Sequence, residues 1–161
     1  IEDEISEQFE DHLYYRDWSN FYFFHDKLKK KEYLAEDLVK IIKKYLTMVE
    51  GVSKVITKEE ILSSIEDDQL SIRLKNMIHP KKSADVFLIL KPGYLYRNPH
   101  GTSHGSPYDY DAHVPMLFSR KDRAKNQNIG HTETVDIAPT ILNLLDIKTN
   151  HAFDGKVLPV Q

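Results

Sequence analysis

Residues 85–90 have the sequence DVFLIL, a nearly continuous apolar stretch in a chain of 161 residues. A short run that is apolar at almost every position is typical of a strand buried on both faces. We therefore predict a strand over 85–90 at the centre of a sheet. Since 40% of all residues are hydrophobic, the chain can bury a sizeable core around it.

The segments upstream of this strand alternate between strand-like and helix-like patterns. Short apolar or alternating runs indicate strands, and apolar residues at three- and four-residue spacing indicate helices. Thr57 and Glu60 have the spacing of a capping box, which predicts that a helix begins there. The predicted elements are a strand at 20–25, a helix at 34–49 ending before Gly51, a strand at 52–56, a helix from 57 to about 64 and a helix at 68–78.

Downstream of the strand, residues 91–113 contain three of the seven prolines and three of the six glycines and predict one long loop. A strand at 114–118, a helix at 134–145 and an irregular tail at 151–161 are expected to follow. Residues 1–18 are acidic and aromatic without a clear period, and we expect an irregular or partly helical lead-in there. Strands and helices in this order predict an α/β fold, with helices covering a sheet.

Charge and composition argue against several classes of protein. The net charge is only −3, so the charge of the chain does not favour binding to nucleic acid or to an anionic membrane. The absence of cysteine excludes disulfide frameworks and cysteine-rich zinc sites. No apolar run approaches the roughly 20 residues of a membrane span. No signal peptide is visible, and because the chain begins at Ile1 we expect further sequence upstream.

The long loop contains the stretch GTSHGSPYDYD at 101–111, which concentrates glycine, histidine and aspartate. Imidazole and carboxylate are ligands that zinc prefers, and an α/β sheet commonly places its site in the loop after a buried strand. His104 is the best candidate ligand, because glycines on both sides allow the backbone to approach an ion closely. The other polar candidates in the loop are His100, Asp109, Asp111 and His113.

Asp109 has two interpretations. Its carboxylate could accept the second imidazole N–H of a ligand histidine and thereby orient the ring. It could equally form an Asx-type turn after Pro107. The remaining histidines lack ligand-like spacing, and we predict structural or surface roles for them: His12, His25, His79, His131 and His151. Phosphate-binding glycine loops and HExxH motifs are missing from the sequence.

Three stretches together resemble a known family. GTSHGSPYDYDAHVPMLF, TVDIAPTILNLLDI and DGKVL are similar to the C-terminal part of the alkaline phosphatase superfamily. The likeness is greatest to the bacterial phosphatase branch that also resembles nucleotide pyrophosphatase/phosphodiesterases. The resemblance begins at about residue 19. It implies one domain portion over 19–161, a fragment of an α/β/α sandwich with a mixed sheet flanked by helices.

The resemblance also implies a chemistry. Enzymes of this family hold two zinc ions, and a threonine or serine nucleophile attacks a phosphate ester to form a phospho-enzyme, which is then hydrolysed. The histidine of the family's HG motif is a zinc ligand, and His104 occupies that position. Such enzymes are commonly periplasmic or secreted, so the resemblance suggests the same location here.

The chain departs from the family in one important respect. The family's nucleophile and its DHG motif lie upstream of the matched region, and Asp11-His12 is followed by leucine instead of glycine. We therefore expect an inactive C-terminal fragment of a zinc-dependent phosphomonoesterase, whose partner is the N-terminal portion of the same protein. The alternatives are a nucleotide pyrophosphatase/phosphodiesterase, or a non-catalytic α/β module that binds a partner or a single metal ion.

Overall fold

A computed structural model describes residues 5–7, 9, 12–96, 101, 104–119, 121 and 128–160. It divides into two compact units, Ile1–His113 and Val114–Gln161. The sequence predicted one domain portion over 19–161, and that assignment stays a prediction.

The first unit contains a four-stranded sheet in the order β1-β2-β4-β3. Each described pair of neighbouring strands is antiparallel, whereas the family resemblance implied a mixed sheet. The predicted central strand is confirmed, because β4 lies between two neighbours and is buried over most of its length. The strands are β1 Tyr14–Asp17, β2 Asn20–Phe23, β3 Val52–Thr57 and β4 Val86–Leu90.

Strand β1 lies within the segment predicted to be an irregular lead-in, so that prediction was wrong for its last residues. It forms a hairpin with β2 in which Asp17 is opposite Asn20. Trp18, in the two-residue turn between them, has a φ of 54°. Most β1 side chains are only half-buried, so the strand has a weak apolar pattern and depends on pairing with β2.

Helices cover the sheet on both faces. Their bounds are α1 His25–Lys30, α2 Ala35–Leu46, α3 Lys58–Ser63 and α4 Gln69–Met77. Successive residues of β4 point to opposite faces. Leu88 belongs to the cluster that contains Leu38 and Ile42 of α2, and Phe87 belongs to the cluster that contains Ile61 and Leu74. The sheet therefore lies between two layers of helices. Burial of each fully buried leucine or isoleucine side chain contributes about 1.5–3 kcal/mol to the free energy of folding.

Local capping determines where two of these helices begin. The Thr57 hydroxyl accepts from the Glu60 N–H at 3.1 Å, and the Glu60 carboxylate accepts from the Thr57 N–H at 2.8 Å, so the predicted capping box is confirmed. The Asp68 carboxylate caps α4 by accepting from the Leu70 N–H at 3.0 Å. Met77, the last residue of α4, is 56% exposed.

The rest of the chain is less regular. The long loop contains one short helix, α5 Asp109–Ala112. The strand predicted at 114–118 was wrong: these residues pair with no described strand, and Leu117 is 90% exposed. In the second unit a 3₁₀ turn at Thr134–Asp136 leads into α6 Ile137–Leu144, which confirms the predicted helix. The described helices include none with the length and apolar character of a membrane span.

Candidate functional site

The two tyrosines of the YDYD sequence attach the histidine loop to the end of β4 and to the residues just after it. The Tyr108 hydroxyl donates to the Leu90 carbonyl at the end of β4, at 2.6 Å. The Tyr110 hydroxyl accepts from the Gly93 N–H at 3.2 Å, and the two tyrosine rings stack with their centroids 5.9 Å apart. Sequence reasoning missed this role, since nothing in a YDYD pattern specifies which distant carbonyl a tyrosine will contact.

The loop closes on itself through Asp111. Its carboxylate accepts from the Ser106 N–H at 2.6 Å. This backbone donor is the main cause that lowers the pKa of Asp111 below its usual range, and a charge on the nearby His104 acts in the same direction. Asp111 is therefore an ionised carboxylate beside the candidate histidine. The Ser106 hydroxyl is buried next to it without a hydrogen bond of good geometry.

His104 is exposed and lies between two glycines in the left-handed region of backbone space, Gly101 at φ 104° and Gly105 at φ 102°. A side chain at Gly105 would meet no atom within 4 Å. The glycine there is consequently needed for its backbone conformation and not for lack of space. The sequence suggested close approach to an ion, whereas the structure explains Gly105 by the shape of the turn.

Asp109 has a partner that the sequence did not suggest. Its carboxylate accepts from Nη2 of Arg73 on α4 at 2.8 Å, and Nη1 of Arg73 donates to the Pro107 carbonyl at 2.8 Å. The proposed orientation of His104 by Asp109 stays a prediction. Arg73 itself was missed because an arginine on the polar side of an amphipathic helix usually signals only a solvated face.

The described residues of the loop do not by themselves provide the ligands of a metal site. His113 is exposed, and His100 lies outside the described residues. Within the described part of the chain, no group of three histidine, cysteine, aspartate or glutamate side chains could hold an ion. A catalytic zinc needs three protein ligands, so His104 fits such a site only as one donor among others.

A second polar cluster lies in the second unit, around the VDIAPT sequence. Both carboxylate oxygens of the buried Asp136 accept backbone N–H groups, from Glu133 at 3.0 Å and from Lys156 at 2.8 Å. The Thr140 hydroxyl donates to the Asp136 carbonyl at 2.6 Å and accepts from the Leu158 N–H at 3.0 Å. The two side chains thus hold the C-terminal tail against α6.

Comparison with known proteins identifies the family. The chain is 35% identical over 107 residues to the calcium-transporting ATPase of Myroides odoratus, covering 65% of this chain and 20% of that protein. It is 32% identical over 127 residues to alkaline phosphatase PhoK of a Sphingomonas species, covering 71% of this chain and 23% of PhoK. The crystal structure of wild-type alkaline phosphatase PafA matches 91% of this chain and 29% of its own, with a TM-score of 0.77 at 26% identity.

The chain belongs to the alkaline phosphatase-like superfamily. The predicted fold class is confirmed by the match to PafA. No family model matches the sequence. The alkaline phosphatase-like chain spans about a fifth of the length of the curated relatives that it matches.

The alkaline phosphatase-like chain also contains a buried charged group at the opposite end of β4 from the loop. Asp85 accepts from the Phe23 N–H at 2.7 Å and lies 2.9 Å from Nε2 of His25 and 3.2 Å from Nζ of Lys58. Asp85 therefore joins β2, α1 and α3 at the start of the central strand. This arrangement agrees with the structural role predicted for His25.

Proposed function

We propose that this chain is part of a phosphoric ester hydrolase of the alkaline phosphatase type, with a phosphomonoester as its substrate. The observation that carries the proposal is the match to alkaline phosphatase PafA over 91% of the chain. PhoK, a sequence relative, is also named an alkaline phosphatase. The loop around His104 supports the proposal with an exposed imidazole beside an ionised carboxylate.

In this proposal His104 is one ligand of a two-zinc site, and the other ligands and the nucleophile come from sequence outside the chain. Bound zinc would polarise phosphoryl oxygens and lower the pKa of a bound water. The contribution of the chain is to hold an imidazole at a defined place. Alone it would lack catalysis, because one ligand does not retain a catalytic zinc. A periplasmic or secreted location is part of the same proposal.

A second candidate is hydrolysis of a phosphoanhydride or phosphodiester, as in a nucleotide pyrophosphatase/phosphodiesterase. One observation favours it: the Myroides relative, at 35% identity, is named as an ATPase. The two candidates share the metal chemistry and differ in the group that leaves phosphorus. A third possibility is a non-catalytic module that binds a partner or one metal ion.

The deciding experiment uses the full-length protein that contains this chain. Metal-free protein is assayed with p-nitrophenyl phosphate, bis(p-nitrophenyl) phosphate and ATP, with and without added zinc. We expect zinc-dependent hydrolysis, fastest for p-nitrophenyl phosphate, and none by residues 1–161 alone. Faster hydrolysis of the diester or of ATP would favour the second candidate. No hydrolysis of any substrate by zinc-loaded full-length protein would leave only the non-catalytic module.

A further inference from the structure

We propose that Arg73 is a positioning residue that holds the His104 loop in the geometry needed for metal binding. The inference rests on the proposed function, since it assigns Arg73 a role at the same site. Arg73 lies on α4, 34 and 36 residues before the two loop residues that it contacts, and no sequence motif connects it to them.

The geometry of the contact is that of a two-pronged clamp. Nη1 donates to the Pro107 carbonyl and Nη2 donates to the Asp109 carboxylate, each at 2.8 Å. The guanidinium is planar and presents its donors in a rigid fork, so the two bonds fix the direction as well as the distance. Nη2 also donates to Gln69 Oε1 at 3.2 Å, one helical turn away, which holds the arginine side chain over the loop.

The clamp acts at the middle of the loop. Pro107 lies three residues after His104, and Asp109 begins α5. Between these two clamped residues, Tyr108 is attached to the last carbonyl of β4. The segment is thus held to a helix through Arg73 and to the sheet through Tyr108. A metal ligand must be held to within about half an ångström of its productive position, and two anchors from different elements provide that restraint.

The contacts indicate that the clamp serves the loop more than the stability of the fold. The Asp109 side chain is 79% exposed, and an ion pair in such a place contributes little to the free energy of folding. The packing of α4 depends instead on the buried Leu74, and its start depends on the Asp68 cap. Replacement of Arg73 should therefore leave α4 folded while the loop gains freedom.

The test compares Arg73→Ala and Arg73→Lys in the full-length protein with Asp109→Ala and with the double variant Arg73→Ala/Asp109→Ala. Lys75→Ala is the matched control: it removes a cation from the same helix, and Lys75 donates to Glu66 instead of the loop. The measurements are the melting temperature, zinc affinity, kcat and KM for p-nitrophenyl phosphate, and amide hydrogen exchange of residues 104–113.

We expect Arg73→Ala to weaken zinc binding or kcat by about 10- to 100-fold, as the loss of an outer-shell partner does, with KM and melting temperature little changed. Arg73→Lys should recover part of the loss, because an ammonium group lacks the planar fork. Asp109→Ala should cost less, since the bond to Pro107 remains. When Arg73→Ala is already present, adding Asp109→Ala should cause almost no further loss of zinc affinity or kcat.

The outcomes separate this proposal from the proposed function. If the full-length protein is active and Arg73→Ala keeps its zinc affinity, kcat and loop protection, the positioning role is overturned and the function stands. If the unmodified protein shows no zinc-dependent activity, the function fails. In that case the amide hydrogen exchange of residues 104–113 decides the role of Arg73. Faster exchange in Arg73→Ala supports the clamp, and unchanged exchange overturns it. If Arg73→Ala does not fold, Arg73→Lys and Asp109→Ala decide by the same exchange measurement.

Discussion

The Tyr108 hydroxyl donates a 2.6 Å hydrogen bond to the carbonyl oxygen of Leu90, the last residue of the central strand β4. This bond attaches the long loop to the end of β4 through a residue eighteen positions after Leu90. Leu90 is half-buried at the end of the strand, and the tyrosine supplies a donor for its carbonyl. The candidate histidine is thereby held near the edge of the sheet where β4 ends.

Removing that hydroxyl tests the attachment. We expect Tyr108→Phe to lower the free energy of unfolding of the loop by about 1 kcal/mol, because the Leu90 carbonyl loses its donor. Hydrogen exchange of residues 104–113 should accelerate accordingly. The control is Tyr110→Phe, whose hydroxyl makes a longer bond of 3.2 Å and whose side chain is 61% exposed. Equal effects of the two variants would contradict the assignment of Tyr108 as the main anchor.

His104→Ala tests the proposed metal ligand. In the full-length protein we expect weaker zinc binding and a loss of turnover by orders of magnitude, because a vacant ligand position leaves the ion poorly held. His151→Ala, an exposed histidine for which a structural or surface role is predicted, should change neither property and serves as the control. Zinc content measured by atomic emission and hydrolysis of p-nitrophenyl phosphate provide the readout. An unchanged rate at full zinc occupancy would rule out the assignment.

Asp136 predicts a pH dependence of stability. Donation by the N–H groups of Glu133 and Lys156 lowers the pKa of Asp136 in the folded chain below its usual value of about 3.9. Because the folded pKa is the lower one, the stabilisation is fully present above the unfolded pKa and is lost as pH falls through the folded pKa.

The Asp136→Asn variant should therefore have a lower melting temperature than the unmodified protein at pH 7, and the difference should shrink below about pH 4. An asparagine amide has one acceptor oxygen where the carboxylate has two, so it replaces at most part of the interaction. Melting curves from pH 7 to pH 2 provide the measurement, with the exposed Asp154→Asn as control. A difference that stays constant down to pH 2 would show that the charge of Asp136 contributes nothing.

Gly155→Ala tests how closely the tail packs on the 3₁₀ turn. A Cβ at this position would collide with the backbone carbonyl of Val135, and backbone atoms move only at a cost. We expect a destabilisation of about 1–3 kcal/mol, as for other overpacked sites. Urea unfolding of the full-length protein followed by circular dichroism is the measurement. The control is Lys156→Ala, which keeps the backbone N–H that donates to Asp136 and should therefore be nearly neutral.

The sequence predicted those elements whose patterns are local. The helix α2 followed from apolar residues on one face, and α3 followed from a capping box only four residues long. Strand β1 was missed because its half-buried residues have little pattern without β2 as a partner. The apolar segment at 114–118 was predicted as a strand for the opposite reason: apolar composition favours a strand but does not supply a neighbour with which to pair.

By itself the sequence determined the central strand, the starts of α2, α3 and α4 to within one residue, and the family resemblance, including His104 as the candidate ligand between two glycines. Burial periodicity and capping act over a few residues, so they are visible in the order of the amino acids. Tertiary structure alone decided that Arg73 meets Asp109 across 36 residues and that His25 meets Asp85 across 60. The sequence around a polar side chain does not indicate which distant residue it will contact. Packing of the apolar faces decides which donors and acceptors come within hydrogen-bond distance.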